Sequence, residues 1–344
     1  MGMVKMKRDN NEMPNKNMTL LDRLHFLKKN PTTTQKQLPC VTYKIMFCSG
    51  VGLLTGYPVF PGAELILNEY KGTAFDFNHD PMDQVMQINF CLEGRMGWTL
   101  HNGDCLYLGA GDISIHMMDH CATSSMALPL EYYKGFTIFL DLDEFKNHLP
   151  QALCSIGYNP IELKSKFCDA GQITVLPATT KMDTLFYLWD TVPSAYQLSY
   201  LQLKLQELLL FLNIYDLSKS KGKDPYPAAI ISTIKKMHKK LTSDLKEHPT
   251  IELLSKDFLI NTSTLKKAFK SIYGQPIAQY MKDYRMHHAA NLLCQTTMTV
   301  GEISEMMGYE SQSKFATAFK KIMQIPPVEY RTRYKMENTD LPKT

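Results

Sequence analysis

Residues 250–293 read TIELLSKDFLINTSTLKKAFKSIYGQPIAQYMKDYRMHHAANLL, and residues 299–331 read TVGEISEMMGYESQSKFATAFKKIMQIPPVEYR. The second stretch repeats the first: Leu254, Leu265, Phe269, Pro276 and Tyr280 recur as Ile303, Phe315, Phe319, Pro326 and Tyr330. The offset is 49 residues before the turn and 50 after it, so the second copy carries one extra residue there. A small helical unit present twice on one chain, with a helix between the copies, accounts for such spacing. Two such units suggest a reader of two DNA segments.

Each copy reads as helix, tight turn, helix. In the second, Thr299 is suited to cap a helix carrying Val300, Ile303 and Met306 on one side; Gly308 supplies the turn, and Ser311 or Gln312 opens the next helix. Phe315, Ala318, Phe319 and Ile322 then fall at i, i+3, i+4 and i+7, one stripe for burial. Ser313, Lys314, Thr317, Lys320 and Lys321 are left facing outward, and their hydrogen-bonding and basic side chains suit a recognition helix. In the first copy Thr250 and Asn261 take the capping places and Leu265, Ala268, Phe269 and Ile272 form the stripe, leaving Lys266, Lys267 and Lys270 outside. Gly274 ends that helix, and Pro276 suits the first turn of a connecting helix, Ile277 to Cys294. If the two units occupy successive major-groove faces on one side of a duplex, their recognition helices lie roughly 34 Å apart.

The pair of motifs, the linking helix with Tyr284 and Arg285, and the terminal P-x-x-Y-R resemble, in this order, the double helix-turn-helix domain of the AraC/XylS transcription regulators over roughly 225 to 335. The resemblance implies that residues near the start of each recognition helix reach base edges. These are Thr262, Ser263, Lys266 and Lys267 in the first, and Gln312, Ser313, Lys314 and Thr317 in the second; Lys270 and Lys321 complete the DNA-facing set. Three positions depart from the family pattern. Thr317 stands where a basic residue is frequent, Gln324 where glycine is frequent, and Leu259 occupies the first turn in place of a smaller or polar residue. The last implies a turn held by packing.

Charge divides the chain in the same way. Residues 219–344 carry 21 lysines and arginines against 12 acids, an excess of nine, whereas residues 1–218 carry 17 against 22. The basic part is the expected DNA-binding part, where lysines release phosphate counterions. Residues 219–227, KSKGKDPYP, form a polar linker between the halves. The expected segments are a polar stretch 1–30, a sensory domain 31–180, a helical dimerisation element 181–218, this linker, a DNA-binding domain 228–336 and a tail 337–344.

From about Val41 to Phe145 short strand-like runs alternate with turns, among them VMQINFCLEG, CLYLGAGDISIHM and YYKGFTIFLDL, and Asn102-Gly103 is a hairpin signal. Such spacing implies a small barrel or sandwich. These runs resemble the cupin-like sensory domains that precede the DNA-binding half in the same family, in particular the branch that includes the pyochelin regulator. The fold class expected is therefore α+β and multidomain: a β-rich cupin-like barrel with a helical dimer element, then an all-α double helix-turn-helix. Phe75, Phe77, Phe90, Trp98 and Tyr107 are available to line a ligand space or, more simply, to fill the barrel core.

No chemistry beyond binding is expected. The chain has no H-x-H with a downstream carboxylate and histidine, no G-x-S-x-G elbow and no phosphate-cradling glycine loop. His116 and His120 are four apart, with His101 nearby, but on strand and turn that spacing does not make a metal pair. No cofactor is expected. Eight cysteines without C-x-x-C spacing read as reduced, mostly buried thiols. A polar start and the lack of any run of about 18 apolar residues imply a cytoplasmic protein with no membrane contact. A helix beginning at Leu185 to Trp189 and running over Tyr196 to Leu217 is apolar on more than one side, which points to a homodimer contact through Leu203, Leu208 and Phe211. The partners implied are double-stranded DNA, RNA polymerase and a small-molecule effector, and the function is that of an effector-responsive transcription activator. A reading of a different class is a cupin-type ligand- or metal-binding protein, or an enzyme, with a secondary DNA-binding domain.

Overall fold

The computed structural model describes residues 32–337 apart from 38–39, 79–80, 101–102, 120–122, 170–172, 180–181, 183–184, 187, 220–221 and 224. Asn102, His101 and His120, and with them the hairpin reading and two of the three histidines, lie outside the described residues, whereas His116 is buried on the strand Ile113–Met118. The chain divides into two compact units, one formed by residues up to 100 with 106–224, the other by residues from 225 onward with 101–105.

The first unit is a curled, mainly antiparallel sheet of eleven strands. They are β1 (Thr32–Gln37), β2 (Cys40–Phe47), β3 (Gly50–Phe60), β4 (Ala63–Gly72), β5 (Ala74–Asn78), β6 (Met82–Thr99), β7 (Cys105–Gly109), β8 (Ile113–Met118), β9 (Thr123–Ala127), β10 (Tyr132–Asp141) and β11 (Thr174–Leu176). The order is β1-β2-β3-β4-β10-β6-β8-β11, with β5 and β9 forming a side branch on β6. Three short helices, α1 (Leu142–Asn147), α2 (Gln151–Cys154) and α3 (Pro160–Phe167), follow β10, and a long one, α4 (Ser194–Ile214), closes the unit.

Both faces of the central strands are covered, which is why they read as apolar runs rather than alternations. Along β10, Phe136, Ile138 and Leu140 join the cluster that includes Leu201, Leu205, Leu208, Leu209 and Leu212 of α4. Tyr133 and Phe139 face the other way, into the hollow of the sheet with Ile66, Tyr70, Phe75 and Trp98. The five aromatics singled out above are all buried. They separate by side, however: Phe90 packs on Phe186, ring centres 5.2 Å apart, in the helix-side cluster, while Phe75, Phe77 and Trp98 face the hollow.

Two expectations about the long helix need correction. It does not start near Leu185; that stretch is a series of turns and a single 3-10 turn at Trp189–Thr191, and the helix begins at Ser194. Pro193 is the reason, because it lacks an N–H and holds the preceding Val192 extended (φ −78°, ψ 118°). Leu208 is fully buried within its own unit and is unavailable to a partner subunit; Phe211 is half-buried, whereas Leu203 is 68 % exposed. The helix is tied to β3 by Gln202 Nε2 donating to the carbonyl of Val59 (2.8 Å) and by Tyr57 Oη donating to Gln197 Oε1 (3.0 Å).

One buried carboxylate joins distant parts of this unit. Asp112, 3 % exposed, accepts from the backbone N–H of Gly109 (2.6 Å) and of Ala178 (3.0 Å) and pairs with the ammonium of Lys223. Removing it leaves two backbone donors and a half-buried cation without their acceptor. Asp112→Ala is expected to lower the stability of the sheet unit by about 3 kcal/mol, whereas Lys223→Met, which spares both backbone bonds, costs clearly less; thermal and urea unfolding of the two variants checks the order.

Candidate nucleic-acid interface

The second unit is helical throughout its described part from Ala228: α5 (Ala228–Ser243), α6 (Ile251–Asp257), α7 (Thr262–Tyr273), α8 (Ile277–Gln295), α9 (Val300–Met306), α10 (Gln312–Met323) and α11 (Pro327–Glu337). The helix starts follow from local chemistry. Thr250 accepts from the N–H of Leu253 (3.2 Å), Asn261 from Thr264 (2.8 Å), and Ser311 from Lys314 (3.2 Å). Thr299 makes a full capping box: its hydroxyl accepts from Glu302 N–H (3.2 Å), and the Glu302 carboxylate accepts from Thr299 N–H (2.7 Å). Those bonds to the ionised form hold the Glu302 carboxyl below its ordinary range.

The second helix of each pair buries the stripe its spacing predicts, whereas Met306, expected beside Ile303 on α9, is exposed. Leu265, Ala268, Phe269 and Ile272 of α7 and Phe315 and Phe319 of α10 are fully buried, with Ala318 and Ile322 half-buried. In α7, Ser263, Lys266, Lys267 and Lys270 are exposed and Thr262 is half-buried; in α10, Gln312, Ser313, Lys314, Thr317 and Lys321 are all exposed. All ten candidate positions therefore lie on the two outward faces. Thr317 Oγ1 donates to the carbonyl of Ser313 (3.0 Å), so its hydroxyl already has an internal acceptor. Lys314 is paired with Glu310, one turn earlier. Sequence reading passed over Glu310, although its i, i+4 spacing to Lys314 was the available signal.

The two copies are held in register by a short segment before α6. Arg285 of α8, 6 % exposed, donates from Nε to the carbonyl of Leu245 and from Nη2 to that of Glu247, both at 2.8 Å. Burial lowers the guanidinium pKa from its ordinary value. The same segment reaches the turn of the second copy: Lys246 Nζ lies 2.9 Å from Glu305 Oε1, and His248 Nε2 is 3.4 Å from the carbonyl of Met307. Arg331 of α11 does for the second copy what Arg285 does for the first, donating from Nε to the carbonyl of Leu293 (3.1 Å) and from Nη2 to that of Met298. On the first copy, His238 of α5 stacks on Tyr273 (4.4 Å between ring centres) and shares a 2.9 Å hydrogen bond with Tyr280 Oη, joining α5, α7 and α8; burial lowers its pKa.

Residues 254–333 match the family described as "Helix-turn-helix domain". The chain is 32 % identical over 98 residues to the "Lactose operon transcription activator" of Staphylococcus xylosus, covering 28 % of this chain and 35 % of that protein. It is 33 % identical over 82 residues to a "Putative AraC-like transcription regulator" of Streptomyces lividans, covering 24 % and 27 % of the two chains. With the "Xylose operon regulatory protein" of Escherichia coli (strain K12) it shares 39 % identity over 72 residues, 21 % of this chain and 18 % of that one. The C-terminal unit is an AraC-type helix-turn-helix domain. The matched part spans about a third or less of the length of these relatives.

Within the AraC-type domain the turns of the two copies differ in a way the sequence hid. Leu259 stands where the second copy has Gly308, and both are left-handed, with φ of +51° and +74°. Leu259 is not held by packing, as its size suggested, since it is 94 % exposed. Gly308 is tightly confined, because a Cβ there would lie 2.3 Å from the carbonyl oxygen of Lys246. The helix ends show the same freedom: Gly274 closes α7 at φ +84°, and Gln324 takes the equivalent place after α10 at φ +68°. Leu259→Gly is expected to stabilise the domain by up to about 1 kcal/mol by removing left-handed strain, while Gly308→Ala destabilises it by more than that because the Lys246 carbonyl has to move; chemical denaturation of both variants reads the opposite signs.

Proposed function

We propose that this chain is a DNA-binding transcription regulator that acts by binding rather than catalysis, with the unit 228–336 on double-stranded DNA and the sheet unit as its sensor. The observation that carries this reading is the pair of outward faces, of hydroxyl and lysine side chains on α7 and of hydroxyl, amide and lysine side chains on α10, tied into one double unit by Arg285 and Arg331. In this reading Lys266, Lys267, Gln312 and Lys314 divide between base edges and phosphates, Lys270 and Lys321 answer phosphates, and Thr262, Ser263, Ser313 and Thr317 give short-range contacts. Gln312 is the best suited to specify, because its amide bonds adenine through two atoms. The similarity to a protein named as a lactose operon activator supports activation, with RNA polymerase as the recipient and a small-molecule effector as the signal.

Full-length protein is expected to retard duplex DNA from its own upstream region, with affinity falling steeply as salt rises. Gln312→Ala is expected to cost about 1–3 kcal/mol on the preferred site and to relax the choice at one base pair. Selection from random duplexes with parent and variant measures both effects; an equal loss on every duplex makes Gln312 a backbone contact.

A homodimer forms, in this proposal, through the outer side of α4. Tyr196, Leu203 and Leu210 recur there every seven residues, and Tyr196, Leu203 and Ile214 are 66 %, 68 % and 79 % exposed. Two linked DNA-binding units then gain effective concentration on paired half-sites. Leu203→Glu with Ile214→Glu is expected to give a folded monomer that binds a single half-site normally and the paired site weakly, as read by sedimentation and band shift; a parent protein that is monomeric at micromolar concentration, with and without DNA, removes the dimer from the proposal.

A further inference from the structure

The hollow of the sheet unit carries a feature that a merely structural core has no use for. A hydrogen-bonded chain of uncharged polar side chains crosses four neighbouring strands. Asn68 Nδ2 on β4 donates to Thr137 Oγ1 on β10 (2.8 Å), and that hydroxyl donates to Asn89 Oδ1 on β6 (2.7 Å). Asn89 Nδ2 donates to Ser114 Oγ on β8 (3.0 Å), and Gln87 Nε2 adds a second donor to Asn89 Oδ1 (2.9 Å). All five are buried. Burying such groups is unfavourable against an apolar core of the same shape, so their concentration on one wall calls for a purpose.

That wall borders a cavity of about 30 Å³. Asn68, Gln87, Asn89 and Thr137 line it together with Tyr70, Phe75 and Phe77, and Tyr70 stacks on Phe75 at 4.3 Å between ring centres. Tyr133 also lines the space, and its hydroxyl is fully buried without a hydrogen-bond partner among the described residues. An unmatched phenol O–H in such a place is a donor and acceptor waiting for an occupant. Met96 and Met126 also line it, and unbranched, rotatable side chains of this kind adapt to the shape of an occupant. As it stands the space admits about two water molecules.

We propose that this hollow binds a small uncharged molecule, with a planar apolar body against Tyr70, Phe75 and Phe77 and a hydroxyl or amide group bonded to Tyr133 Oη and the Asn89–Thr137 chain. Among the described residues the lining contains no aspartate, glutamate, lysine, arginine or histidine. An ion entering it would give up water with no counter-charge in return. Burial also pushes the Tyr70 and Tyr133 phenols above their ordinary pKa, so they enter as neutral groups. Carboxylates and ammonium compounds of the same shape are thereby excluded. The inference names the ligand class of the sensor proposed above; as a statement about binding it does not depend on DNA.

Phenol and benzamide, against benzoate and benzylammonium, are the probes, applied to full-length protein without DNA and read by ligand-observed NMR and calorimetry. At least one neutral probe is expected to bind with Kd at or below about 1 mM, and both charged probes about ten-fold more weakly or not at all. Tyr133→Phe removes only a hydroxyl that has no internal partner, so the fold is retained, and the affinity of the bound neutral probe is expected to fall about five-fold or more; Thr137→Val gives a second reading on the same wall. Failure of both neutral probes at about 10 mM, equal binding of the charged ones, or unchanged affinity in Tyr133→Phe overturns the proposal and leaves a hydrated core. A band shift in the same preparation separates the two readings, since loss of probe binding with DNA binding intact refutes only this one, and the reverse refutes only the DNA assignment.

Discussion

The arrangement of the DNA-binding unit depends on a guanidinium that has given up water. Arg285 spends its side chain on the carbonyls of Leu245 and Glu247, groups left over where the chain breaks between α5 and α6. The bonds run from the helix joining the two copies to a segment that also meets the turn of the second copy through Lys246 and His248. A lysine in place of Arg285 lacks the planar fork that meets two carbonyls at once. The spacing of the two recognition faces therefore rests on a contact far from either of them.

The sheet unit solves a different problem. Its central strands are buried on both faces, by α4 and the short helices on one side and by the curl of the sheet on the other. The helix side is apolar throughout its centre and supplies cohesion. The hollow side mixes aromatics with amides and hydroxyls, which reduces the gain from burial and concentrates hydrogen-bonding capacity in one place.

Local rules made the helical half legible. Caps at Thr250, Asn261, Thr299 and Ser311 and the stripes through Leu265 and Phe315 depend only on neighbours a turn or two away, and the ten outward positions follow from them. What could not be read depends on long-range packing. Leu203 and Leu208 look alike in sequence, but one faces solvent and the other the sheet. Pro193 was the local sign that the long helix starts later than its apolar pattern suggests. Leu259 and Gly308 share a backbone conformation, and only the fold reveals which of them has a neighbour. The polar chain from Asn68 to Ser114 was hidden because single asparagines and threonines in strands ordinarily face water.

The difference between the two turns bears on how such a duplicated domain diverges. The first turn opens on solvent, so residues there change without disturbing anything behind them. The second is wedged against the Lys246 carbonyl, and every alteration is felt by the segment that spaces the copies. Mutational latitude is thus unequal between two units of common design: a side chain changed at the first turn meets solvent, while one added at the second displaces the segment that spaces the copies.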